Sequence, residues 1–102
     1  MIAISRFRVP SAEGPTFRAS AEQAAQFFRS RPGCLRAEVV QNLDDPTLWA
    51  LVSDWVDVGS YRRGFSGYDA KMILTPVLSL ALDEPGAYAA PEEVGTNLPR
   101  EA

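Results

Sequence analysis

Residues 49–56, WALVSDWV, constrain this chain more than any other stretch. Trp49, Leu51, Ser53 and Trp55 fall at every second position, so an extended chain puts them on one face and Ala50, Val52, Asp54 and Val56 on the other. Both faces are mostly apolar. A strand covered on both sides belongs inside a sheet, and in a chain of 102 residues the second cover is expected from another subunit. Asp57 then reads as the N-cap of a helix on which Val58, Tyr61 and Phe65 form one stripe.

The chain contains no histidine and one cysteine, Cys34. The commonest nitrogen ligand and the usual general base are therefore missing, and no internal disulfide is possible. Zinc fingers, histidine-dependent hydrolases, His-ligated haem and two-His-one-carboxylate iron sites each lack a required part. Asp44 and Asp45 belong to a turn, with no further ligands spaced to close a metal site around them. Cys34 reads as a small buried hydrophobe. A net charge of −3 without a basic cluster argues against nucleic acid, and no apolar run approaches the ~20 residues of a membrane span. Residues 1–9 carry Arg6 and Arg8 and read as part of the fold rather than a secretory signal, so the expected location is cytoplasmic.

In chain order, residues 2–9 alternate as a strand, with Ala3, Ser5, Phe7 and Val9 on one side and Ile2, Ile4, Arg6 and Arg8 on the other. Pro10 ends it. A helix from Pro15 or Thr16 to Ser30 is predicted by Phe17, Ala21, Ala24 and Phe28, and Arg31-Pro32-Gly33 stops it. A strand from Cys34 to Leu43 and the turn residues Asp44-Asp45-Pro46 make an antiparallel hairpin with the tryptophan strand. The helix from Val58 ends near Ser66. Residues 69–82 are helical but kinked or broken at Pro76, with Thr75-Pro76 fitting an N-cap and N1 pair. Residues 87–90 are a poor strand by propensity, assigned because the fold needs one. The domain is expected to close at residue 90, leaving 91–102 as a flexible tail. This order gives an α+β fold of the ferredoxin-like βαββαβ kind with an antiparallel sheet.

The opening strand IAISRFRV, RPGCL after the first helix, LDDP before the tryptophan strand, the ending SDW and the YRRGFSGYDAK…TPVLSLALDEPGAY run carry a resemblance across residues 2–90. In their order and spacing the chain resembles the antibiotic biosynthesis monooxygenase family of dimeric α/β barrels. That resemblance implies a homodimer packing two sheets back to back, a pocket between sheet and helices, and Trp55 as a pocket residue. It also implies oxidation of a phenolic or polycyclic, polyketide-like aromatic by molecular oxygen without flavin, haem or metal. A non-oxidative cyclase or isomerase on the same scaffold, and a non-catalytic binding protein, are the alternatives. The haem-degrading branch of the family uses a first-strand Asn and a second-helix His. Here the nearest first-strand position is Ser5, and no histidine exists.

The candidate site starts from Trp55, whose indole either stacks on a planar substrate or packs in the core. Tyr61 and Phe65, one helical turn apart, offer a facing wall. A phenol must lose a proton before it gives an electron to oxygen, so a site needs groups that hold the anion. Ser53 and Ser5 are hydroxyl candidates, and Tyr61, Tyr68 and Arg62 are candidates for stabilising charge. Trp55, Tyr61 and Ser53 are expected to carry the chemistry, with Ser5, Arg62, Phe65 and Tyr68 binding substrate, and all of these but Arg62 are expected to line one cavity between the sheet and the second helix. Ile2, Ile4, Val52 and Val56 would lie bare on the far face, which predicts the homodimer.

Overall fold

The computed structural model describes residues 1–97. β1 (Ile2–Arg8) leads through a single 3₁₀ turn to α1 (Gly14–Arg29), then β2 (Cys34–Gln41) and β3 (Leu48–Trp55) form the hairpin. α2 (Val58–Arg63), α3 (Tyr68–Leu78), the short β4 (Ala87–Tyr88) and α4 (Pro91–Asn97) complete the chain. The sheet order is β2-β3-β1-β4 with every pair antiparallel, the α+β ferredoxin-like arrangement. β3 lies between β1 and β2, pairing Phe7 with Trp49, Ala3 with Ser53, and Ala37 with Ser53 from the other side.

The period-2 reading of β3 holds along its length. Trp49, Leu51, Ser53 and Trp55 are buried under α1, while Leu48, Ala50, Val52 and Asp54 are half-buried on the opposite face. α1 fits this face because Ala21, Ala24 and Ala25 are fully buried at its middle, letting the helix axis approach the sheet. Phe17 and Phe28 sit about three helical turns apart at its ends. Each meets one tryptophan: Phe17 lies edge-on to Trp49 at 5.5 Å and Phe28 edge-on to Trp55 at 5.5 Å. α3 closes the layer with Ala70, Leu74 and Val77.

The hairpin loop is built by its side chains. Asn42 Oδ1 accepts from the backbone N–H groups of Asp44 and Asp45, and Asp45 Oδ1 accepts from the N–H of Thr47. Asp57 caps α2 as the sequence implied, its carboxylate accepting from the Ser60 N–H at 2.7 Å.

Two elements differ from expectation, α2 and the C-terminal stretch, and in α3 an open choice is resolved. α2 ends at Arg63, and residues through Ser66 continue as turns rather than helix. α3 is one helix running through Pro76, so Thr75 and Pro76 do not begin a new one. The proline removes a donor to the carbonyl four residues back, but Met72 and Pro76 are exposed, so water can serve that carbonyl. Within the stretch expected as a tail, residues 91–97 form α4, with acidic Glu92 and Glu93 in its first turn. The remainder of that stretch, 98–102, lies outside the described residues. β4 is a two-residue strand, yet the chain before it already runs along β1: the Ile4 N–H donates to Gly86 O at 2.7 Å and the Leu82 N–H to Arg6 O at 2.8 Å. Among the described residues no helix is long and apolar enough to cross a membrane.

Candidate functional site

Two places on the helix-covered side of the sheet carry aromatic walls, one at each end of β3. At its C-terminal end four rings close a circuit of edge-on contacts. Trp55 meets Phe28 at 5.5 Å and Tyr61 at 5.9 Å, and Phe65 completes the loop against Phe28 at 5.6 Å and Tyr61 at 4.9 Å. The strand places Trp55, α2 places Tyr61, and the turn after α2 places Phe65. The indole N–H of Trp55 donates to Ser53 Oγ at 2.9 Å, so both buried polar groups are satisfied by each other. Gly64 lies so close to the indole that a Cβ there would stand 2.8 Å from Trp55 Cη2. Trp55 is 1% exposed. Its ring therefore has protein on its sides where a substrate would have to stack.

Tyr61 is the polar member of the circuit. It is half-buried, and burial pushes its phenol above the ordinary value, so at neutral pH it is an O–H donor and not a phenolate. Of the six residues expected to line one cavity, Ser53, Trp55, Tyr61 and Phe65 come together. Ser5, Arg62 and Tyr68 do not join them. Ser5 is half-buried on β1 opposite Leu51, Arg62 is exposed on α2, and Tyr68 is 75% exposed at the first position of α3. The reversal at Gly67 sends Tyr68 outward.

At the other end of the helix-covered face the packing opens. A cleft of about 410 Å³ lies between the end of β1, the start of α1 and the end of α3. Its floor and walls are Phe7, Val9, Phe17, Pro76, Val77 and Leu80, and Arg8, Glu13, Thr16 and Ser20 supply its polar groups. Phe7 and Phe17 meet at 4.9 Å in a tilted pair that forms the inner wall. Arg8 is held by the Asp45 carboxylate and by Thr47 Oγ1 at 3.1 Å. The volume falls in the 300–1,000 Å³ range of small-molecule sites, and the mostly apolar lining with a few polar groups is their usual composition. By contrast the groove outside Phe65, along α3, holds about 220 Å³.

Sequence reasoning missed this cleft. Its walls come from three separated segments whose apolar residues look like any other core residues, and only the packing of α3 against α1 brings them together. Pro10 and Pro76 mark where chain direction and helix regularity change, but neither has a spacing that announces a pocket. Among the described residues no group of three or more His, Cys, Asp or Glu side chains converges as a metal site.

The architecture is shared with solved structures of known folds. SnoaB, a cofactor-independent oxygenase from Streptomyces nogalater, superposes with a TM-score of 0.73 at 24% identity, over 87% of this chain and 90% of that one. A conserved protein from Methanosarcina mazei Go1 gives 0.68 at 22% identity, over 84% of each chain. At these identities the likeness speaks to the fold. No curated protein matches the chain. The sequence profile of the family described as antibiotic biosynthesis monooxygenase matches residues 1–63, from β1 to the end of α2. The profile thus spans more than half of the sequence, and the chain belongs to the antibiotic biosynthesis monooxygenase family.

Proposed function

We propose that this chain is a cytoplasmic monooxygenase that oxidises a small phenolic or polycyclic aromatic molecule with O2, the substrate itself supplying the electrons. The observation that carries the reading is the cleft with the Phe7–Phe17 wall, an apolar slot of about 410 Å³ on a chain of this family. A flat ring lies against Phe17 and Val77, and its oxygen is held by the hydroxyls of Thr16 and Ser20 at the rim. Glu13 is the one carboxylate among the cleft's lining residues and takes the substrate proton. For an anthrone-like substrate the balance is simple. The enolate reduces O2, a C–O bond forms at the ring CH2, and loss of one water leaves a ketone, with one oxygen atom in product and one in water.

The test is O2 uptake with anthrone, comparing the parent with Thr16→Phe, which fills the slot from its exposed rim. The expected loss in kcat/KM is at least ~10-fold, about 1.4 kcal/mol. Product without O2 uptake would mean a non-oxidative cyclase or isomerase. Tight binding without product would mean a binding protein.

A second reading puts the ring at Trp55, with Tyr61 donating to the substrate oxygen and Ser53 holding the indole in place. Phe65 then covers its approach, while Arg62, Tyr68 and Ser5 stand outside the ring circuit. It is favoured by the position of Tyr61, whose phenol is part of the aromatic wall beside Trp55 and carries an O–H that can donate. The two readings separate on Trp55→Phe, which lowers turnover ~10-fold under the second and leaves it unchanged under the first. In both readings the working unit is a homodimer built on the sheet's far face, where Ile2 is 44%, Val40 42% and Val56 56% exposed. Light scattering decides this, and a stable monomer at micromolar concentration would remove it.

A further inference from the structure

We propose that Phe65 is a swinging gate over Trp55, latched by Arg31, and that its movement opens a second aromatic pocket for one planar ring. The inference rests on the second placement of the substrate given above, and supplies what that placement lacks, a way in. In the closed circuit Phe65 stands at the corner opposite Trp55, touching Phe28 and Tyr61. If its ring leaves, the vacated space is bounded by Trp55, Phe28 and Tyr61, three rings already set edge to face.

There is room for the ring to go. Immediately outside Phe65 runs the groove of about 220 Å³ lined by Ala70, Leu74, Leu78 and the exposed Thr75. A cavity of roughly 150 Å³ is enough to take a benzene ring. The groove's floor of Ala70 and Leu74 is apolar, so the swung-out phenyl keeps one face against carbon while the other meets water, and opening costs part of its burial rather than all of it.

The backbone around Phe65 suits a hinge. Gly64 precedes it and Gly67 follows two residues later at φ 98°, a conformation L side chains rarely adopt, with no atom within 4 Å of where a Cβ would stand. The segment has its own turn bonds, from the Phe65 N–H to Arg62 O and the Ser66 N–H to Arg63 O, and one side chain reaches it from α1's end. Arg31 Nη2 donates to Arg63 O at 3.0 Å and Ser66 O at 3.4 Å, either side of Gly64 and Phe65. Its guanidinium lies over the Phe27 ring, 5.4 Å from the centroid. Yet the buried Arg31 Nε has no partner. A buried donor left unmade makes the closed latch less favourable than its two carbonyl bonds suggest.

The experiment reads Trp55 directly. Trp49→Phe leaves Trp55 as the sole tryptophan, and acrylamide quenching then reports how often the circuit opens. With the latch intact the quenching constant is expected to be low. Arg31→Ala in that background is expected to raise it at least ~3-fold, with far-UV circular dichroism unchanged, and Arg31→Lys, which keeps a donor but not the planar stack, to fall between. Phe65→Ala removes the gate, and 1-naphthol is expected to bind that variant at least ~10-fold tighter than the parent. An unchanged quenching constant in Arg31→Ala overturns the latch. Naphthol binding no tighter in Phe65→Ala overturns the pocket, and if that variant does not fold, Arg31→Ala decides alone. None of these measurements involves O2 or turnover, so the gate can fail while the oxygenase reading stands, and the reverse.

Discussion

The two ends of β3 carry the same pair of side chains and different structures. Each end puts a tryptophan of the buried face against a phenylalanine of α1, edge-on at 5.5 Å. At Trp55 the packing continues outward, because Asp57 caps α2 at once and brings Tyr61 and Gly64 back over the indole, with Phe65 against Tyr61 and Phe28 beyond them. At Trp49 no such element follows. The residue is 8% exposed, Gly14 lies at ordinary contact distance from it, and the chain on that side turns into open grooves and the cleft behind Phe17. An aromatic pair is thus a wall in both places, and what lies on its other side decides whether it is core or site.

The largest consequence is in truncation. Trp55→Ala leaves a hole that three rings and a close-packed glycine cannot fill without moving, and it orphans Ser53 Oγ, so a loss toward ~5 kcal/mol is expected. Trp49→Ala leaves a space that borders open grooves and can collapse or hydrate, with a loss nearer ~3 kcal/mol. Urea titration of both variants checks the difference. Equal losses would mean that the Trp49 end is as closely packed as the other.

The glycines sharpen the same contrast on a smaller scale. At Gly64 an added methyl meets Trp55 Cη2 at 2.8 Å and the Tyr61 carbonyl at 3.0 Å, neither of which is a flexible chain end. Gly64→Ala is expected to cost about 1–3 kcal/mol. At Gly14 the nearest atom is Trp49 Cζ2 at 3.7 Å, so the ring is no obstacle, and what remains is the strain of a Cβ before Pro15. Gly14→Ala is expected to stay within ~1 kcal/mol. Thermal unfolding of the two variants side by side is the check, and a larger loss at Gly14 would reverse the assignment of closed and open ends.

How much of this was legible follows from how local each cause is. The buried face of β3 and the stripe of α1 are periodic, so Trp49, Leu51, Ser53, Trp55, Phe17 and Phe28 declared themselves. Trp55, Tyr61 and Phe65 could be grouped because a short capped connection keeps neighbours in sequence close in space. Tyr68 could not be placed, since a single positive-φ glycine before it sets its direction. Pro76 left one helix or two open, because its cost depends on whether the freed carbonyl meets water, which is a tertiary fact. The cleft was invisible because its lining is assembled from β1, α1 and α3 without any polar pattern.

The smallest effect expected is one of pH, and it again separates the ends. Burial raises the Tyr61 phenol above its ordinary value, so the unfolded chain loses that proton at a lower pH than the folded one. Stability from Tyr61 is therefore complete below about pH 10, where both states keep the proton, and declines as pH rises from there through the raised folded value. Because the ring is half-buried and its O–H partly solvated, the decline should be modest. Tyr61→Phe removes the ionising group while keeping the edge-on contacts with Trp55 and Phe65, so its urea midpoint should fall less than the parent's between about pH 8 and about pH 10.5. Parent and variant declining in parallel would mean that the phenol is as well solvated folded as unfolded, and that the circuit around Trp55 is already open at that corner.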